Sequence, residues 1–216
     1  MAFPIVFTKQ LGAASSNSIA TSQSPGTAAL TLTSAVVTID TATAAKSAIG
    51  RRVIITSGGN DSGINWTVVG TNGSGNKISD TFAGSSGGAA QSNLDFVTVS
   101  SITPSGSVAT TAIAGTNGVG SSSWMTLNWH ATSVMNVGFA VELVSGACNF
   151  TVQHTYDDPN NLLGGAAYPL PFNSSVVNGA SASVDGVYST PIAAIRVLIN
   201  SGTGEIRVRV LQSSIG

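Results

Sequence analysis

Apolar runs of about four to eight residues, each closed by glycine, serine, threonine or asparagine, recur along the whole chain. No other feature limits the fold as much. A strand needs only that length, whereas a buried helix needs ten or more residues with apolar positions three and four apart. The runs include "PIVFT", "ALTLTSAVVTI", "RRVIIT", "INWTVV", "KISDTF", "LDFVTVSSI", "VGFAVELV", "CNFTVQHTY", "AAIRVLIN" and "EIRVRVLQ". Helical spacing is best approached in "ATAAKSAIGRR", Ala42 to Arg52, a turn or two that Gly50 would stop. The expected fold is all-β: antiparallel β-sandwich units, jelly-roll or immunoglobulin-like, with very little helix.

The stretch "INWTVVGTNGSGNKISDTFAG", Ile64 to Gly84, tests whether a glycine-rich loop does chemistry here. A phosphate loop needs a helix behind it to supply free N–H groups, and "NKISDTFAG" is too short for one. A calcium loop needs carboxylates at alternate positions, and "TNGSGN" has none. Asn and Gly tolerate positive φ, so the segment reads as a hairpin between Trp66–Val69 and Ile78–Phe82. Within it Asp80 shares a face with Ile78 and Phe82. A buried carboxylate needs a partner, so Asp80 is expected at a sheet margin or against Arg51 or Arg52.

Only 8% of the 216 residues are charged and the net charge is −1, while hydrophobic content is an ordinary 42%. Ser, Thr, Asn and Gly must therefore make the polar surface, which suits burial in assemblies because few flexible charged side chains have to be ordered or desolvated. Eight Lys and Arg scattered among nine acidic residues make no nucleic-acid footprint. No window is apolar over the roughly 20 residues of a membrane span. "MAFPIVFTKQLGAASS" lacks the basic start of a secretory signal, so export by the general route is not expected, and sequons such as "NFT" lose their weight.

Catalytic constellations are sparse. The single cysteine, Cys148, alternates with Phe150, Val152 and His154 and is expected as a buried core thiol. His154 lies about 20 Å from it along an extended strand, too far for a nucleophile–base pair. His154, Asp157 and Asp158 in "HTYDDPNN" form the best metal-ligand cluster, but adjacent Asp residues before "PNN" more commonly anchor a turn. His130 follows Trp129 far away in sequence, and no serine lies in a nucleophile elbow. The expectation is a non-enzyme with no cofactor, metal or catalytic residue.

"IAGTNGVGSSS", Ile113 to Ser123, is the most linker-like stretch and suggests two β domains, 1–118 with an amino-terminal arm and 119–216. In the second, Ile206, Val208 and Val210 alternate with Glu205, Arg207 and Arg209, the pattern of a strand with one face packed. "AAIRVLINSGTGEIRVRV" reads as a hairpin with "NSGTG" at its tip. In "MAFPIVF", Phe3, Ile5 and Phe7 alternate and Pro4 is tolerated only at an edge. This segment is either an arm that adds to a neighbour's sheet or the first strand of the chain's own.

"GRRVIITSGGNDSGINWTVVGTNGSGNKISDTFAG" with "FVTVSSITPSG" resembles a pattern of virion structural proteins of tailed bacteriophages, and "FTVQHTYDDPNN" and "TPIAAIRVLINSGTGEIRVRVLQ" are similar to the carboxy-terminal parts of small phage structural proteins. The resemblance implies a virion component made in the host bacterial cytoplasm, where a lone cysteine fits. It supplies no catalytic residues. The expected role is an outer capsid decoration or cement protein bound to the major capsid protein or other virion proteins, and homo-oligomeric. Tail, neck or head-fibre proteins are the alternatives, as is a carbohydrate-binding adhesive module that stacks sugars on Trp66, Trp124, Trp129, Tyr156, Tyr168 or Tyr188. Expected contact residues are Phe3, Pro4, Ile5, Phe7, Trp124, Trp129, Arg196, Arg207 and Arg209.

Overall fold

The computed structural model describes residues 5–39, 49–128, 136–161 and 168–212. These residues form sixteen strands and no helix: β1 (Ile5–Gln10), β2 (Ser15–Gln23), β3 (Val37–Thr38), β4 (Gly50–Ser57), β5 (Asn65–Thr71), β6 (Lys77–Ala83), β7 (Ala89–Phe96), β8 (Thr98–Pro104), β9 (Ala112–Ser121), β10 (Met125–Thr126), β11 (Val137–Ser145), β12 (Cys148–Thr155), β13 (Phe172–Asn173), β14 (Val184–Tyr188), β15 (Ala194–Gly202) and β16 (Glu205–Gln212). The expected all-β antiparallel fold is therefore observed. Of the helical candidate, 42–48 lies outside the described residues, and Gly50–Arg52 open a strand.

Two compact units result. The central unit comprises Gly12–Thr41 and Ala48–Gly120; the terminal unit comprises Met1–Leu11, Ala42–Ser47 and Ser121–Gly216. The cut between Gly120 and Ser121 falls close to the expected Gly118. Contrary to expectation, the first eleven residues group with the carboxy-terminal part, because β1 pairs along β16, with Ile5 opposite Val210 and Phe7 opposite Val208. Ile5–Gln10 is thus a strand of the chain's own sheet, and the rest of the expected arm, residues 1–4, lies outside the described residues.

In the central unit, one sheet has the order β3-β8-β5-β6, and β9, β4 and β7 run side by side with β2 on β9. Inward positions are apolar and fully buried, among them Val53, Ile55, Trp66, Val68, Phe96, Val99 and Ile102. Removing each such side chain from water contributes roughly 1.5–3 kcal/mol. The hairpin expected at Ile64–Gly84 is β5–β6, in register from Asn65↔Ala83 to Thr71↔Lys77. Its loop is a turn: the Asn72 carboxamide oxygen accepts the N–H groups of Ser74 and Asn76, both at 3.0 Å, and Gly75 takes φ +80°. Asp80 does sit at a sheet margin, on the edge strand β6, but neither arginine is its partner. It accepts the backbone N–H groups of Asn93 and Leu94 where β7 bulges. Arg52 instead pairs with Asp95 at 2.7 Å, and the buried Arg51 donates to the carbonyls of Gly12, Ala13 and Asn117. Backbone groups take up the Asp80 carboxylate and both terminal nitrogens of Arg51, so the two need not meet.

In the terminal unit, one sheet has the order β1-β16-β11-β14, and β13, β12 and β15 run side by side with β10 on β15. The buried sets are Val137, Phe139, Val141, Ile206, Val208 and Val210 from the first and Cys148, Phe150, Val152, Ile195, Val197 and Ile199 from the second. The expected β15–β16 hairpin does not form, since β15 pairs with β12 while β16 pairs with β1 and β11. "NSGTG" carries the chain from one sheet to the other, as the connection at Gly146 does between β11 and β12. Glycine makes these crossings feasible. A Cβ on Gly202 would lie 2.4 Å from the Ala147 carbonyl oxygen, the same oxygen to which Gly204 N–H donates at 3.0 Å. Gly202 also takes φ +88°, a conformation side chains resist. A glycine-rich link between alternating strands has the same local signal whether it turns within a sheet or crosses between two.

Candidate interaction surface

Large apolar side chains left in solvent are distributed unevenly. Among the described residues of the central unit, Val36 alone is in this class; the terminal unit has ten. In the central unit, outward positions carry hydroxyls instead. Thr67 faces Thr81 at 2.9 Å across β5–β6, and Thr71 faces Thr98 at 2.7 Å across β5–β8. Such cross-strand hydroxyl pairs stabilise a sheet without presenting apolar area.

One group of the ten lies on the outer face and edge of the sheet containing β1. Val6 is 51% exposed and stands opposite Arg209, which stands opposite Ala140. Leu211 and Val187 flank Gly138 in the next row, and Ile5 is exposed at the start of β1. Between these apolar groups Arg207 and Arg209 converge on one Glu142 carboxylate oxygen, at 3.3 and 2.8 Å. Both arginines are over a third exposed, so each pair is worth only about 0–1 kcal/mol.

A second group caps the end of the terminal unit. His154 on β12 stands opposite Phe172 on β13, and their rings stack at 25° with centroids 5.7 Å apart. Tyr156 meets His154 and Phe172 edge-on at 5.5 and 5.6 Å. On the inner side His154 Nδ1 is 3.2 Å from the Tyr188 hydroxyl, and Tyr188 packs on Phe139. Burial lowers the His154 pKa and raises that of Tyr188, the latter also raised by Tyr156 and opposed by a hydrogen bond from Ser174. The outer members, Tyr156 and Phe172, are 60% and 42% exposed, with exposed Leu170 and Tyr168 beside them.

The expected contact residues are dispersed. Ile5 and Phe7 lie on β1, and Arg207 and Arg209 on β16. Arg196 does not join them, since β15 belongs to the other sheet of the unit. Its guanidinium covers the Trp124 ring at 4.5 Å and donates to Gln153 at 2.8 Å and Ser121 at 3.2 Å. Phe3, Pro4, Trp129 and His130 lie outside the described residues. Trp66 is fully buried and presents no ring to a sugar. Asp158 accepts the N–H of Asn160, two residues on, at 2.9 Å and so anchors a turn, whereas Asp157 accepts that of the distant Leu170 at 2.7 Å. Among the described residues no three His, Cys, Asp or Glu side chains group as a metal site. Cys148 is buried with Phe150 and Val152, and its pKa is raised by burial.

Sequence reasoning missed Val6, Leu170, Phe172, Val187 and Leu211. One signal was available for two of them. In "YPLPF" apolar residues alternate with Pro169 and Pro171, which cannot donate to a ladder, so those side chains cannot sit on a central strand. No family model matches the chain, and no curated protein is significantly similar to it.

Proposed function

We propose that the protein is a structural component of a tailed-phage virion, an outer capsid decoration or cement protein attached through its terminal unit. It is made in the bacterial cytoplasm, and its work is assembly rather than catalysis, with no cofactor. The observation that carries this reading is the crowding of exposed apolar side chains on the terminal unit, while the described residues of the central unit include almost none. A low-charge surface with one apolar unit suits repeated attachment to a shell, because aromatic and aliphatic anchors supply contact energy and few charges must be desolvated. The resemblance of the central hairpins to phage structural proteins supports the virion setting.

The test mixes the purified protein with undecorated capsids and counts bound copies. Expected is saturation at a fixed stoichiometry, little change between low and high salt, and at least tenfold weaker attachment of Leu170→Ser/Phe172→Ser. No binding to capsids, together with binding to tails or necks, moves the protein along the virion. Binding to a glycan array instead of any virion part replaces assembly with adhesion.

A further inference from the structure

Exposed sheet edges invite pairing with another chain, and folded proteins blunt them with short strands, bulges, charges or glycine breaks. Among the described residues, seven of the eight edge strands are short, bulged, or broken by glycine or an acidic group. β3, β10 and β13 are two residues long. β2 follows β9 with two register shifts. β7 bulges, with Asp80 holding its N–H groups at Asn93 and Leu94. β6 carries Asp80, and β14 carries Asp185 and Gly186. The exception is β1, six residues of "IVFTKQ" without proline, glycine, bulge or acidic group, whose one charge is Lys9 and which is paired only on its β16 side among the described residues. Its Ile5 and Val6 are about half exposed.

We propose that the free edge of β1 pairs antiparallel with β1 of a second copy, about a two-fold axis at Phe7. An axis perpendicular to the sheet keeps each residue on its own face, so opposed positions share parity. Phe7 then faces Phe7 of the partner, Ile5 faces Lys9, and Val6 faces Thr8. This register covers both half-exposed apolar residues and keeps the two lysines from opposing each other. Moving the axis to Thr8 would leave Ile5 outside the ladder, and moving it to Lys9 would set lysine against lysine. The sheet thereby continues through the interface, and the lysine stem lies along isoleucine. Five cross-edge pairs are a small contact, so the dimer is weak, with Kd of roughly 10 µM to 1 mM. The pairing goes beyond the attachment proposed above and does not rest on it.

Two double variants read out the register. Val6 and Thr8 stand on the outer face opposite Arg209 and Arg207 of the same chain, so acidic replacements there are compatible with the fold. Val6→Glu/Thr8→Glu sets glutamate against glutamate across the two-fold, whereas Val6→Glu/Thr8→Lys sets glutamate against lysine. Sedimentation equilibrium at low salt, with circular dichroism to verify the fold, is expected to show concentration-dependent dimers of the native chain. Dissociation should be about five- to tenfold easier in the first variant and restored in the second. A native chain still monomeric at about 1 mM overturns the proposal. So does a dimer indifferent to the first variant, or one that the second fails to restore. Loss of capsid attachment in the first variant with a monomeric native chain would assign the edge to a foreign strand, which also overturns self-pairing.

Discussion

The two units solve the same problem with opposite surfaces. Both bury alternate apolar positions of antiparallel strands, yet the central unit faces water with threonine pairs and a carboxylate-held bulge, while the terminal unit leaves rings and aliphatic side chains bare. Core burial alone explains the first. The second leaves apolar area exposed beyond what its own packing covers, area of the kind a contact can use. Self-sufficiency and availability have thus been divided between two bodies of similar construction.

The difference can be broken most strongly from the central side. Trp66→Ala should destabilise that unit by about 3–5 kcal/mol, because a fully buried indole leaves a cavity among Val68, Phe82 and Ile102. Denaturant unfolding should show an earlier transition, and an unchanged midpoint would mean that the unit does not depend on its core. In the terminal unit, Gly202→Val should cost several kcal/mol, since both φ and the Ala147 carbonyl oppose a side chain there. Its measure is the thermal midpoint, and a shift within error would show that the crossing adapts. Asp80→Ala should cost about 1–3 kcal/mol by leaving the Asn93 and Leu94 N–H groups without their acceptor. Faster amide exchange confined to those residues is the accompanying sign.

The pH dependence separates the units more gently. Burial lowers the His154 pKa below its ordinary 6.5, so the unfolded chain binds the proton more readily. The neutral ring's contribution is fully present above pH 6.5 and is lost as pH falls through the folded-state value. Terminal-unit stability should therefore decline on acidification below neutrality, and His154→Gln should flatten that part of the profile. Smallest of all, Leu211→Thr should change stability by no more than about 0.5 kcal/mol while reducing attachment. A large loss of stability would place Leu211 in the packing rather than the contact.

Much of the fold was legible because strand alternation is local. Ile206, Val208 and Val210 announce their buried face by spacing alone, and Asn72 and Gly75 announce the β5–β6 turn by chemistry. The β15–β16 connection was misread because crossing to another sheet is decided by distant partners, β12 on one side and β1 with β11 on the other. Asp80 was assigned an arginine because a charge suggests a countercharge, whereas two backbone N–H groups sufficed. The aromatic end gave weaker warning. His154, Tyr156, Phe172 and Tyr188 come from three separate strands and the residue following one of them, and only the prolines around Leu170 hinted that the segment stays outside.

The pairing of β1 with β16 has a consequence in time. Between Ile5 and its partner Val210 lies nearly all of the chain, the central unit included. At about 5–20 residues per second of synthesis, the amino-terminal strand emerges roughly 10–40 seconds before the strand that will hold it. The central unit ends at Gly120 and can finish folding in that interval. "IVFTKQ" meanwhile waits without a ladder, an apolar segment most open to chaperones or premature association while the ribosome is still working.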